Sequence, residues 1–420
     1  MNLRSKAKPY PITKEQLWES FKLVRSNKGS PGIDELVIDH IGEHSQKYLY
    51  PLWNRLASGS YFPPPVKRVE IPKGKSKMRA LGIPTVLDRV AQGVIAKEIE
   101  AIVESQFSDN SFGYRPNKSA HDAVAQAKKN CWKYPWVIDM DIQGFFDNID
   151  HGLLIRALRY FTTEKHHITY VKRWLKAPIQ LKDGTLQAND VKGTPQGGVI
   201  SPILANIFLH VVFDRWFELR YPDCPFERYA DDVIIHVKNE PYARQILKAV
   251  KARFEACKLT LHPEKTKLVY CKRKGRRKKK DVKHRQFDFL GFTFRPRRVI
   301  TKSGELMFGF SPSISRKAIK RIGEECFKLN FNRWSHMNLY QVAKALTPKI
   351  RGWLNYYGKF HLSAMKNAFR ILNDRLVKWA FNKYKRFKRR KTHLFARLWL
   401  RQISKNYRNL FPHWDLGFTP

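Results

Sequence analysis

Cysteine is scarce and scattered in this chain: Cys131, Cys224, Cys257, Cys271 and Cys326 are the five in 420 residues, with no C-x-x-C pair among them. Without that pairing, or a histidine at ligand spacing, neither a disulfide framework nor a cysteine-built zinc site is expected. The thiols read as reduced and mostly buried. Acid is also in short supply. Against 80 Lys plus Arg stand 36 Asp plus Glu, a net charge of +44. Such an excess repels itself in a compact state unless a polyanion shares the surface, and nucleic acid is the usual polyanion. A merely basic soluble protein or a membrane-surface binder is the blander alternative. Long apolar runs are missing as well. The start, MNLRSKAKPYPITKEQ, lacks a signal-peptide core, and no stretch approaches the roughly 18 apolar residues of a spanning helix. The expectation is a cytoplasmic protein with no membrane partner.

What is present is enough for a folded protein: 43% apolar and 13% aromatic residues against 28% charged. The length predicts two or three cooperating domains. From Thr13 to about Arg55 the apolar spacing is helical, with a turn from Gly29 to Asp34. YFPPPVKRVEIPKGKSKMR, from Tyr61 to Arg79, reads as a basic hairpin. Helical spacing returns from Thr85 to Gln106, and Trp136 to Asp141 reads as a buried strand ending in acid. Asp147 or Asn148 is the expected cap of the following helix, HGLLIRALRYF. Phe226 to Val237 reads as a hairpin turning in Ala230, Asp231 and Asp232. A helix from Tyr242 to about Cys257 follows. The lysine run from Lys272 to Lys280 has no apolar face and is expected to be a solvated loop. Beyond Pro312 strand signals fade into amphipathic helices, which sets a domain boundary near Ser311.

Three acids stand out. Asp141 ends the VIDMD strand, and Asp231 and Asp232 sit in YADD. Phosphoryl transfer asks a protein mainly to hold two magnesium ions about 3.5–4 Å apart over the attacking and leaving oxygens. Hard oxygen ligands on rigid strands suit that task. A strand ending in Asp beside a hairpin with acids at its turn brings carboxylates to one sheet edge. Asp also favours turns for its own reasons, so YADD alone says little.

YADD has company, in a fixed order. RVEIPK and RALGIPTVLDR span 68 to 89, SFGYRP spans 111 to 116, and DIQGFFDNIDH spans 141 to 151. GTPQGGVISPILANIFL (193 to 209), RYADD (228 to 232), HPEKTKL (262 to 268) and FLGF (289 to 292) come next. This series resembles the ordered blocks of reverse transcriptases, and its wording is closest to the bacterial group II intron-encoded reverse transcriptase/maturase lineage. RGWLNYYG, from 351 to 358, resembles the maturase region that follows in that family. The resemblance implies an α+β fold: a right-hand polymerase, with fingers and an antiparallel palm sheet, followed by an α-helical thumb/maturase domain. It divides the chain into an N-terminal helical extension at 1–60, fingers and palm at 61–310, and thumb, maturase and basic C-terminal region at 311–420.

By the same resemblance Asp141, Asp231 and Asp232 are catalytic metal ligands for two Mg2+ ions, with Mn2+ as an alternative, and Asp232 plays a supporting part. Phe146, five residues after Asp141, is the steric gate against a 2′-hydroxyl; the plainer reading makes Phe145 and Phe146 both core. Lys73 and Arg79 meet the triphosphate, for which a compact ammonium and a guanidinium fork are well suited. Gln196 packs beside the nascent base pair, and Lys265 donates a proton to pyrophosphate, with Lys267 a neighbouring candidate. Lys67, Arg68, Arg115, Arg351, Lys388, Arg389 and Arg390 are expected nucleic-acid contacts. Trp353 and Tyr357 are read as packing the thumb helices. The implied partners are group II intron RNA, an RNA template with a DNA or RNA primer, dNTPs and target DNA. After FPHWDLGF there is no His/Cys-rich cluster of the kind found in the family's endonuclease, so target-site cleavage is not expected of these residues. The leading expectation is an RNA-directed DNA polymerase that assists intron splicing and retrohoming. A domesticated relative in DNA repair or phage defence, and a splicing factor without polymerase activity, are the alternatives.

Overall fold

A computed structural model of the chain describes residues 8–73, 77–189, 191–194, 197–272, 282–300, 304 and 306–420. Most of the expected lysine loop and the tip of the basic hairpin lie outside these residues. The chain divides into two compact units, Met1–Ala123 with Ile138–Lys267, and Val124–Val137 with Leu268–Pro420.

In the first unit, the helix Lys14–Ser26 begins at a capping box in which Thr13 and Gln16 satisfy each other's backbone N–H groups. It buries Leu17, Phe21 and Val24, and Ser20 Oγ donates to Val90 O at 2.7 Å. Val90 lies on the longer helix Val86–Val103. Asp88, 1% exposed, ties this helix to its surroundings. Its carboxylate accepts from Tyr61 Oη at 2.7 Å, Trp174 Nε1 at 2.8 Å and Gln92 Nε2 at 2.9 Å. Strands β1 (Val66–Lys73) and β2 (Lys77–Ile83) form the expected antiparallel hairpin, with Lys67 opposite Ile83.

Strand β3 (Trp136–Asp141) is buried on both faces as far as Ile138 and then alternates, with Met140 buried between the half-exposed Asp139 and Asp141. Two short strands, β4 (Ile179–Gln180) and β5 (Leu186–Gln187), extend the hairpin sheet in the order β2-β1-β4-β5. Strands β6 (Phe226–Tyr229) and β7 (Asp232–Val237) pair antiparallel, and β7 lies beside β3. The helix after β3 starts differently from expectation. Asp147 and Asn148 belong to a separate turn, Phe145–Asn148, and Asp150 caps His151–Phe161 by accepting from Leu153 N at 2.8 Å. An Asx cap must sit immediately before the first helical residue, and Ile149, in extended backbone, separates the earlier pair from it.

Strand β8 (Lys267–Tyr270) crosses the boundary between the units. In the second unit, β9 (Phe287–Phe289), β10 (Phe292–Ile300) and β11 (Leu306–Ile314) form a sheet in the order β11-β10-β9. Ser311 therefore lies within β11, and Ser315 caps the first of the C-terminal helices, Arg316–Leu329. Trp132 Nε1 donates to Phe310 O at 3.0 Å, a bond within this unit between the segment Val124–Val137 and β11. The helices Leu339–Tyr357, Lys366–Lys383 and Leu394–Asn406 follow. Asn373 holds the chain's last turn: its Oδ1 accepts from His413 and Trp414, and its Nδ2 donates to Phe418 O. All five cysteines are buried. Among the described residues no helix is long and apolar enough to cross a membrane.

Candidate polymerase site

The YADD hairpin closes tightly. Tyr229 faces Asp232 across the ladder, leaving Ala230 and Asp231 as the turn, with Ala230 at φ 56°. A left-handed alanine costs on the order of 1 kcal/mol, so neighbours must hold it. Gly113 of SFGYRP presses against the turn from one side: a Cβ there would stand 2.4 Å from Ala230 N. From below, Arg228 Nη1 donates to Ala230 O at 3.2 Å and to Asn206 Oδ1 at 2.9 Å. Asn206 in turn donates to Gly113 O at 2.8 Å. The remaining arms of Arg228 grip Asp214, Nε to Oδ1 at 2.7 Å and Nη2 to Oδ2 at 2.5 Å.

Both members of this ion pair are fully buried. Burial pushes the Asp214 carboxyl upward in pKa, but the Arg228 guanidinium and His210 outweigh that and hold it below the usual carboxylate value. Asp214 ends a π-turn, His210–Asp214, set between the α-helical stretches Ser201–Leu209 and Arg215–Arg220. Such a turn shifts the helical register by one residue. None of Asp214, Asn206 and Gly113 was singled out in the sequence, where only the arginine beside YADD hinted at a buried counter-charge.

Asp141 is the last residue of β3. The strand end is pinned on its other side, where His262 N donates to Asp141 O and Gln143 N donates to Thr260 O, both at 2.8 Å. Lys265 Nζ stands 2.8 Å from Asp141 Oδ2, with the two side chains 57% and 40% exposed. Asp231 and Asp232 are likewise half-exposed. The last residue of β3 and the first residue of its neighbour β7 are thus both acids, each open to solvent and carried on a buried strand.

Of the aromatic pair, Phe145 is buried and Phe146 half-buried. Phe146 O accepts from Thr194 N at 2.8 Å. Near it runs a cleft of about 330 Å³ lined by Arg68, Gly82, Asp147, Lys192 and Thr194, among others. Arg68 Nε and Thr194 Oγ1 have no hydrogen-bond partner among the described residues. Gly197, at φ 125°, lies so close to the β-hairpin that a Cβ would meet Gly82 O at 2.5 Å. The side chains of Lys73 and Arg79 lie outside the described residues, as does Gln196.

A model of the family described as "Reverse transcriptase (RNA-dependent DNA polymerase)" matches residues 71–294, more than half of the chain. The chain belongs to the reverse transcriptase family. Residues 319–399 of this reverse transcriptase match "Group II intron, maturase-specific domain". Protein YkfC of Escherichia coli is 32% identical to it over 296 residues, 61% of this chain and 77% of YkfC. The group II intron-encoded protein LtrA of Lactococcus lactis is 27% identical over 431 residues, 83% of this chain and 69% of LtrA. A solved telomerase chain from Candida albicans is similar at a TM-score of 0.46 and 10% identity, over 90% of this chain and 67% of its own. The family and its maturase domain make the chain an RNA-directed DNA polymerase of the group II intron type, dependent on divalent metal, with maturase function in splicing and intron mobility. Its substrates are nucleic acids, intron RNA among them.

One expected contact of the reverse transcriptase is corrected by the structure. Arg115 has a side chain only 4% exposed and paired with Glu104 at 2.8 Å, and its Nη1 donates to Ser108 O and Ser111 O at 2.5 and 3.0 Å. Its guanidinium is spent on folding the SFGYRP loop, whose free carbonyls need donors. Arg351, Lys388, Arg389 and Arg390 are exposed in the second unit, Lys67 and Arg68 are half-exposed in the first, Trp353 is half-buried and Tyr357 buried. Tyr357 Oη accepts from Arg321 at 2.5 Å, and Tyr356 Oη donates to Leu290 O at 2.9 Å.

Proposed function

We propose that Asp141, Asp231 and Asp232 together hold two Mg2+ ions, and that the enzyme uses them to extend a DNA or RNA primer with dNTPs on an RNA template. The observation that carries this reading is the adjacency of β3 and β7, one ending and the other beginning in a half-exposed carboxylate. A donor set made only of hard oxygens fits Mg2+, and Mn2+ in its place. When bound, the ions supply polarisation of the attacking 3′-hydroxyl and neutralise charge on the leaving oxygen.

The residues of this chain do the rest. The primer's 3′-hydroxyl loses its proton to solvent water as its oxygen forms a bond to the α-phosphorus and the bond to pyrophosphate breaks. Lys265, next to Asp141, gives a proton to the departing pyrophosphate. Lys73, Arg79 and Arg68 neutralise the triphosphate, Gln196 packs by the nascent pair, and Phe146 closes the space a 2′-hydroxyl needs. Residues 61–310 act as fingers and palm after a helical extension at 1–60. Residues 311–420 act as thumb and maturase, where Arg351, Lys388, Arg389 and Arg390 track the RNA backbone. Lys67 serves the template in the same way, and target DNA is the acceptor during mobility.

Two measurements check this. The full chain with an annealed RNA template and DNA primer is expected to make complementary DNA in Mg2+ or Mn2+ and none in a chelator; synthesis that survives chelation removes the metal reading. Opening the gate relieves a clash of roughly 1–3 kcal/mol, so Phe146→Val is expected to raise ribonucleotide relative to deoxynucleotide incorporation by about 10–100-fold. An unchanged ratio in single-nucleotide extension returns Phe146 to the core.

A further inference from the structure

Away from the YADD hairpin, three helices of the first unit meet at a compact group of metal-ligating side chains that the polymerase reaction does not use. Glu98, on the helix Val86–Val103, faces the adjacent His166 and His167 on the helix Lys165–Leu175. Glu98 Oε2 lies 2.9 Å from His166 Nε2 and 3.0 Å from His167 Nε2, and the three ligand atoms all fall within 4.8 Å of one another. Consecutive residues on a helix point about 100° apart, yet both rings turn so that their Nε2 atoms end on one oxygen, with ring centroids 4.2 Å apart. The two histidines are 3% and 2% exposed. The Glu98 side chain, at 18%, leaves a path to solvent.

Two of the three ligands are also held from behind, as metal ligands are. Gln16 Nε2 donates to the other Glu98 oxygen at 2.8 Å, fixing which oxygen turns inward. Thr162 Oγ1 is 3.0 Å from His167 Nδ1 and accepts from Glu164 N at 3.2 Å, which sets that ring's rotation. Two imidazoles with one carboxylate form the donor set of a zinc-class transition metal rather than of Mg2+. Bonds of about 2.0–2.2 Å in tetrahedral geometry separate ligands by roughly 3.3 Å, so the two glutamate–histidine separations of 2.9 and 3.0 Å have to open by only a few tenths of an ångström.

We propose that Glu98, His166 and His167 bind one divalent transition metal ion of the zinc class, with water as the fourth ligand. The ion ties the helix Lys165–Leu175 to Val86–Val103 and, through Gln16, to the amino-terminal helix Lys14–Ser26. Its role is structural, on elements other than those that carry the polymerase carboxylates.

The test uses the full chain, stripped of metal by a chelator and kept in excess Mg2+ so that oxygen-only sites are filled. Titration with Zn2+ against a chromophoric chelator is expected to show one equivalent bound and a higher thermal midpoint, and Co2+ should give the visible bands of a four-coordinate site. Glu98→Gln and His167→Gln are expected to abolish that equivalent, and Thr162→Ala to weaken it by about 10–100-fold. If the ligand variants fail to fold, the wild-type Co2+ spectrum and Thr162→Ala still decide. Absence of stoichiometric Zn2+ binding by the wild type, or binding unchanged by Glu98→Gln, overturns the proposal; in the latter case the ion sits on other residues.

Discussion

Asp231→Ala is expected to abolish complementary DNA synthesis while leaving RNA affinity and thermal stability close to wild type. Asp231 lies in a two-residue turn, half-exposed, so its removal opens no cavity in the core that would threaten the fold. The loss falls on the transition state. Metal-borne stabilisation of the attacking and leaving oxygens amounts to several kcal/mol, and about 4–6 kcal/mol corresponds to a fall of roughly 10³–10⁴ in rate. Asp141→Ala is expected to match it, and the double variant to be no worse than either single one, because groups that act as a unit are not additive. Asp232→Ala, removing the supporting carboxylate, is expected to cost less. Primer extension on an RNA template, normalised to the fraction of template bound, is the measurement; extension by Asp231→Ala within a few-fold of wild type would end the assignment. Splicing of intron RNA is a separate readout, expected to survive because the maturase match lies at residues 319–399.

Some of this was legible along the chain and some was not, for a physical reason. A strand such as Trp136–Asp141 announces itself by a run of apolar residues, and the YADD hairpin by its turn chemistry, since both signals are local. The ordered blocks carried the family because their spacing is a property of sequence. Partners are another matter. Arg115 reads as a free cation in SFGYRP, but whether its guanidinium meets nucleic acid or the carbonyls of Ser108 and Ser111 is decided by how one loop folds back. Asp150 and Asp147 are equally good caps in the abstract, and a backbone angle at Ile149 chose between them. Glu98 and His166, 68 residues apart, belong to helices whose apolar periodicity says nothing about which polar faces will meet.

The same limit hid the ion pair beneath the active hairpin, and that pair carries the second large expected effect. Arg228→Met leaves the Asp214 carboxylate buried without its partner, a change that costs about 3–5 kcal/mol and is expected to appear as a lower denaturation midpoint. Arg228→Met combined with Asp214→Leu removes both charges from a fully buried site, and stability is expected to return to wild type or above it. Polymerisation is not expected to return. Ala230 O and Asn206 Oδ1 lose a charged donor in either variant; such a bond is worth about 1.5–3 kcal/mol, or roughly 10–100-fold in kcat if it holds the left-handed turn in its working shape. Acid offers an independent check on the pair. Because the native Asp214 carboxyl titrates below its unfolded value of 3.8, its contribution is full above that pH and is lost as pH falls through the lower native value. The stability difference between wild type and the doubly apolar variant should therefore move in the variant's favour only at the acid end. A doubly apolar enzyme that is stable and polymerises at the wild-type rate would show that Arg228 and Asp214 serve folding alone, and that Gly113 and the strand ladder suffice to hold YADD in place.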